Sequence, residues 1–170
     1  MSNYLLSDDI SELAARVVAE NAAAGRKVAT AESCTGGLVA GALTEIAGSS
    51  SVLDRGFVTY SNEAKMESLG VAQDIIETFG AVSIACVWAM AQGALERSNA
   101  DVAVAISGVA GPGGGTQLKP VGTVVFARAV RNSTGEPEGE LKHFDGGDGP
   151  GGRAAIRRQA TICALELLLP

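Results

Sequence analysis

The chain is poor in the residues that hydrolases most often use as bases. Among 170 residues there is one histidine, His143, and the lysines are Lys27, Lys65, Lys119 and Lys142. A single imidazole excludes a His-rich metal centre, and a Ser-His-Asp triad would have to be built on that one residue. The cysteines Cys34, Cys86 and Cys163 are odd in number, far apart and without a CxxC pair. They fit a reducing cytoplasm and argue against structural zinc. No apolar run reaches the ~18 residues of a membrane span, and residues 1–9 lack the basic and apolar segments of a signal peptide. Only 19% of residues are charged, and the balance is acidic, with a net charge of -6. A duplex-binding surface needs clustered Lys and Arg instead. Nucleic acid and membrane are thus excluded as partners, and the expected location is cytoplasmic.

What is present is apolar material, at 46% of residues, in a length that suits one domain over residues 1–170. Ser7 is placed to cap a helix in which Ile10, Leu13, Ala14, Val17 and Val18 recur at helical spacing before Gly25. Residues 27–31 read as a short buried strand, 36–46 as a helix and 52–60 as a strand. Ser61 or Asn62 caps a helix through Leu69, residues 72–79 form another, and Ser83 caps a long helix to Arg97. The run from Asp101 to Ile106 is typical of a central strand covered on both faces. Residues 121–130 and 141–144 pair as a hairpin, and 154–169 close the chain as a helix. Interleaved strands and helices with one hairpin predict an α/β fold, a three-layer α/β/α sandwich with a mixed β-sheet.

Three irregular segments at strand ends carry chemistry. In the first, residues 30–37, Ser33 and Thr35 offer hydroxyls, and Gly36 and Gly37 open a helix whose free amides suit an anion or oxyanion. An ordinary Ser/Thr cap is the plainer reading. In the second, residues 59–65, Tyr60 ends a strand and Lys65 falls near a helix N-terminus, where the dipole disfavours its charge. A lowered pKa there would make it a base for a nearby serine. A solvated lysine paired with a carboxylate is the alternative, favoured by spacing alone. In the third, Ser107 leads into Gly108, Gly111, Gly113, Gly114, Gly115 and Thr116, with Lys119 and Pro120 behind. This is neither a Walker A loop nor a GxGxxG turn. Bracketing prolines make it a shaped loop of unencumbered amides, ranked as binding rather than a flexible crossover. Arg153, Arg157 and Arg158 begin the last helix, a conflict with the dipole that a bound anion relieves. Arg153 adjoins the Gly-rich residues 145–152, and Arg157 and Arg158 read as lying on the wet face. His143 is placed on a solvated edge strand, Trp88 and Met90 in the core, and the cysteines read as small buried hydrophobes.

The segments Ala31-Glu-Ser-Cys-Thr-Gly-Gly37, Val58-Thr-Tyr-Ser-Asn-Glu-Ala-Lys65, Gly80-Ala-Val-Ser83 and Gly108-Val-Ala-Gly-Pro-Gly-Gly-Gly-Thr116 with Lys119-Pro-Val-Gly-Thr123 resemble the CinA C-terminal domain family. The likeness runs from about Ser7 to the C-terminus and includes stand-alone nicotinamide-nucleotide amidases. It implies metal-independent hydrolysis of the carboxamide of nicotinamide mononucleotide to the nicotinate nucleotide and ammonia, with no cofactor. It implies Ser33 as nucleophile, Lys65 as its base and Tyr60 as a helper that orients or shuttles the proton. Ser107 stands where the family usually has Thr, and Arg153 matches an arginine that would contact the substrate phosphate. Asn62, Thr35, Gly36, Gly37, Gly111, Gly113, Gly114 and Thr116 complete the expected substrate-binding set. The N-terminal domain of full-length competence-damage proteins is not expected, so no pyrophosphatase activity is carried over. Two departures stand out: the stretch from Phe144 to Arg153 is longer than the family's, and Ile84-Ala85 replace a common Glu. Homo-oligomers are also implied. The remaining alternatives are a non-catalytic nucleotide sensor and an amidase for another small amide lacking phosphate.

Overall fold

The computed structural model describes residues 3–135, 138–146 and 152–170. Six helices surround a five-stranded mixed sheet: α1 (Asp8–Ala23), β1 (Val28–Glu32), α2 (Leu38–Thr44), β2 (Leu53–Val58), α3 (Asn62–Leu69), α4 (Gln73–Phe79), α5 (Ile84–Glu96), β3 (Val102–Gly108), β4 (Thr123–Val130), β5 (Glu138–His143) and α6 (Gly152–Leu167). The expected α/β sandwich and mixed sheet are the observed ones. The strand order is β2-β1-β3-β4-β5. β1 runs parallel to β2 and β3, while β4 and β5 are antiparallel additions. His143 is exposed on the edge strand β5, as read from sequence. Among the described residues, no helix is long and apolar enough to cross a membrane.

Period-two alternation divides the core into two layers. Val28, Val102, Val104, Ile106, Val124 and Phe126 face α1, α2 and α6. On the opposite face Ala29, Ala31, Ala103, Ala105, Ala127 and Ala129 meet α5, with α3 and α4 outside it. An alanine-lined sheet face lets a helix approach closely, so Met90, Ala91 and Ala94 of α5 are fully buried. Trp88 is half-buried beside them.

Most expected caps form. The Ser61 hydroxyl accepts from the Ala64 amide at 3.0 Å and Ser83 from the Cys86 amide at 3.1 Å, so α5 starts normally at Ile84-Ala85 despite the departure there. Ser7 does not cap α1. Its hydroxyl donates to Asp9 Oδ1 at 2.6 Å, because a carboxylate two residues on outcompetes an amide.

The register matters most for function. Glu32 pairs with Val58 of β2 and Ile106 of β3. The next residues along, Ser33 and Thr59 just beyond β1 and β2 and Ser107 still within β3, therefore lie side by side. Helix α2, between β1 and β2, packs on one face, and α3 to α5, between β2 and β3, pack on the other. The chain thus goes out from β1 to β2 over one face and returns past β1 to β3 over the other, which opens a crevice at the carboxyl ends of these strands.

Candidate active site

Ser33 follows β1, which lies between β2 and β3, with its amide donated to Ile106 O at 2.9 Å, and the Thr59 amide is donated to Glu32 O at 2.8 Å. Both neighbouring strand ends thus hold the segment, and Ser33 is buried. Lys65 reaches it from the first turn of α3. Its Nζ lies 3.2 Å from Ser33 Oγ and donates to the carbonyls of Thr59 at 2.8 Å, Tyr60 at 3.3 Å and Ser61 at 3.4 Å. The residue is 1% exposed. Among the described residues no carboxylate pairs with it, so the solvated, ion-paired lysine favoured by spacing alone is not what forms. Desolvation holds its pKa below the usual lysine range, opposed weakly by Cys86 and Cys34. Burial pushes the neighbouring Cys34 thiol up to about 11, which leaves it protonated and inert near neutrality.

Ser33 and Lys65 lie at a cleft of about 250 Å³, lined also by Cys34, Tyr60, Asn62, Ala81, Val82, Ser107, Gly108, Ala110 and Arg153. Among the described residues its charged side chains are two cations, with no carboxylate. A larger cavity of about 350 Å³ lies against β4 and β5, lined by Phe126, Arg128, Glu138 and Glu140 among others. It contains no hydroxyl, thiol or amine nucleophile, so size is outweighed by chemistry.

The remaining expected residues are arranged differently. The Tyr60 hydroxyl accepts from Arg153 Nη2 at 3.0 Å, at the exposed rim, and Arg153 Nη1 donates to Gly111 O at 2.7 Å. Thr35 is turned inward, donating to Glu32 Oε1 at 2.7 Å. Gly36 and Gly37 line a separate apolar pocket with Leu5, Leu6 and Leu38. The helix amides expected to face a ligand are consumed internally. The Glu32 carboxylate, fully buried, accepts from the amides of Val39 at 3.0 Å and Ala40 at 3.1 Å, and the Gly36 amide is donated to Ser33 O. The anion at this helix start belongs to the protein itself. Gly113, Gly114 and Thr116 lie in an exposed loop and do not line the cleft. Thr116 Oγ1 accepts from the Lys119 amide at 3.0 Å, and Lys119 Nζ donates to Phe79 O at 2.7 Å.

Sequence reasoning missed Arg157. It is half-buried, not on the wet face, and its Nε and Nη2 donate to Cys34 O at 3.0 Å and Thr35 O at 3.3 Å. Its spacing of four residues from Arg153 on one helix was the available signal. Arg158 is exposed and forms an ion pair with Asp9. The lengthened Gly-rich stretch falls mainly on residues 147–151, outside the described residues.

Fold and cleft together define an α/β sandwich protein with a serine hydroxyl and a desolvated lysine amine in one crevice. The chain belongs to the CinA C-terminal domain family, whose model matches residues 10–170. It is 48% identical over 96% of its length to the nicotinamide-nucleotide amidohydrolase PncC of Escherichia coli K12, covering 95% of that protein. It is 48% identical to a CinA-like protein of Akkermansia muciniphila, of which it spans 38%. Its fold is similar to the crystal structure of competence/damage inducible protein CihA from Agrobacterium tumefaciens. That likeness has a TM-score of 0.89 and 52% identity, over 99% of this chain and 97% of that one.

Proposed function

We propose that this protein hydrolyses the carboxamide of nicotinamide mononucleotide, using Ser33 as nucleophile and Lys65 as its base, without a metal. The observation that carries the reading is the 3.2 Å approach of Lys65 Nζ to Ser33 Oγ at a buried site where, among the described residues, no carboxylate pairs with the lysine. The 48% identical amidohydrolase relatives, matched over nearly their whole length, support a hydrolase of this substrate class.

In its neutral form Lys65 accepts the Ser33 proton as Oγ attacks the carboxamide carbon. The resulting ammonium then donates that proton to the departing nitrogen, and ammonia leaves. Water, deprotonated by Lys65 in turn, releases the nicotinate nucleotide and returns the proton to Ser33. The carbonyls of Thr59, Tyr60 and Ser61 hold the lysine nitrogen throughout. Arg153, bonded to the Tyr60 hydroxyl at the rim, serves the nucleotide's phosphate end, Tyr60 acts as the helper that orients or shuttles the proton, and Asn62 and Ser107 line the space between.

The test is ammonia release from nicotinamide mononucleotide by the native chain and by Ser33→Ala, with free nicotinamide as control. Release by the native chain alone, and only from the nucleotide, is expected. Absence of release with nucleotide binding retained in calorimetry would replace the enzyme by a sensor. Arg153→Ala is expected to raise KM for the nucleotide about 10- to 100-fold, the loss of a charge-assisted bond to phosphate, with kcat changed far less. An unchanged KM would mean that the substrate carries no phosphate.

A further inference from the structure

We propose that Arg157 is a positioning residue for catalysis, a cationic clamp that fixes the nucleophile loop from α6; the inference rests on Ser33 being the nucleophile. Arg157 reaches across the fold to two consecutive carbonyls, Cys34 O and Thr35 O, immediately after Ser33. Among the described residues it forms no ion pair. A half-buried guanidinium bonded only to neutral carbonyls is a poor source of stability, because its desolvation is not offset by an opposite charge. The same loop is held from the other side. Glu32 accepts from the Thr35 hydroxyl at 2.7 Å and from the first amides of α2. The short turn from Ser33 to Gly36 is therefore gripped on its carbonyls by a cation and on its hydroxyl by an anion.

Peptide planarity carries this grip to the nucleophile. Fixing Thr35 O fixes the Gly36 amide on the same plane, and that amide donates to Ser33 O at 3.0 Å. Gly36 also explains why the motif has glycine at this position. A Cβ there would lie 3.4 Å from Arg157 Nη2, on a backbone with φ +60°. The left-handed backbone is what requires glycine, and the guanidinium packs over it at ordinary contact distance.

A misplacement of about 1 Å at a reacting atom costs on the order of 100-fold in rate. Arg157→Ala is therefore expected to lower kcat about 100-fold, with KM for nicotinamide mononucleotide within about threefold of native. This is the opposite split from Arg153→Ala. Guanidinium chloride at sub-denaturing concentration is expected to restore part of the Arg157→Ala rate. Arg157→Lys should restore less, since a point charge cannot bridge two carbonyls in a fork. Covalent labelling of Ser33 by a fluorophosphonate, which needs no substrate recognition, should slow in parallel. An unlabelled native chain sinks the Ser33 reading itself. A labelled native chain with an equally fast Arg157→Ala sinks only the clamp. Should Arg157→Ala fail to fold, Arg157→Gln and Arg157→Lys carry the same comparison. A loss shared by kcat and KM, tracking a lowered Tm and unmoved by guanidinium, would reduce Arg157 to a structural tie.

Discussion

Lys65→Met is expected to abolish turnover while leaving the fold as stable as the native protein or more so. The two effects share one cause. Lys65 is 1% exposed and meets carbonyls and a hydroxyl but no carboxylate, so its charged form is desolvated with incomplete compensation. Methionine fills much the same volume without that cost. A positioned general base contributes about 100- to 10,000-fold, so loss of at least about 100-fold in kcat is expected. A variant retaining about a tenth of the rate would leave Lys65 as filler rather than base. The pH dependence follows from the direction of the shift. The folded pKa lies below the ordinary 10.5, so kcat/KM should rise as pH climbs through that lowered value and level off above it. Stability carries the same sign. The penalty for holding the ammonium in the fold is fully present below the folded pKa. It fades as pH rises from there towards 10.5. Denaturant unfolding across the alkaline range should show the native chain gaining stability relative to Lys65→Met as the pH rises from the lowered folded value towards 10.5.

The parts of this site that were legible in the sequence are those set by local chemistry. Ser61 and Ser83 cap their helices because each hydroxyl is free to accept from the amide three residues on, and Ser83 also donates to Gly80 O at 2.7 Å. The alternation of valine with alanine from Val102 to Ala105 forecasts a strand covered on both faces, and the two faces do enter separate core layers. The loops bearing Ser33 and Lys65 were recognisable as irregular segments at strand ends. Their union was implied only by the family resemblance and not by local spacing, because it depends on the parallel register of Glu32 with Val58 and Ile106. That register brings three carbonyls around Lys65 Nζ and removes it from water, against the solvated lysine that spacing alone favoured. Glu32 was passed over for a similar reason. A glutamate at a strand end reads as solvent-facing, and only the tertiary fold shows it turned inward to satisfy α2. The glycine run at 111–115 shows where composition and geometry emphasise different residues. Composition suggested a ligand cradle, but residues 112–118 are exposed and the described contacts of the loop are made at its ends, through Gly111 and Lys119.

Gly93→Ala is expected to be the most destabilising single-methyl change in the molecule's helices, despite the usual preference for alanine. In an open helix this substitution gains roughly 1 kcal/mol. At position 93 the added Cβ would stand 1.9 Å from Leu69 O and 2.8 Å from Leu69 C. The obstacle is backbone, so no side-chain rotation relieves it. Helix α5 meets α3 here at the residue just before the left-handed Gly70 that ends α3. To admit the methyl, α3 must move away from α5, and α3 carries Lys65. Overpacking of this kind costs about 3 kcal/mol or more. At this chain length that corresponds to a fall in Tm of roughly 6–12 °C. Turnover should fall too, since any displacement of α3 shifts Lys65 Nζ relative to Ser33 Oγ. Gly41→Ala in α2 is the matched control, because a Cβ there meets nothing within 4 Å. It should leave Tm unchanged or raise it. Equal Tm values for the two variants would mean that α3 and α5 separate freely, and that the close helix contact does not set the position of the lysine.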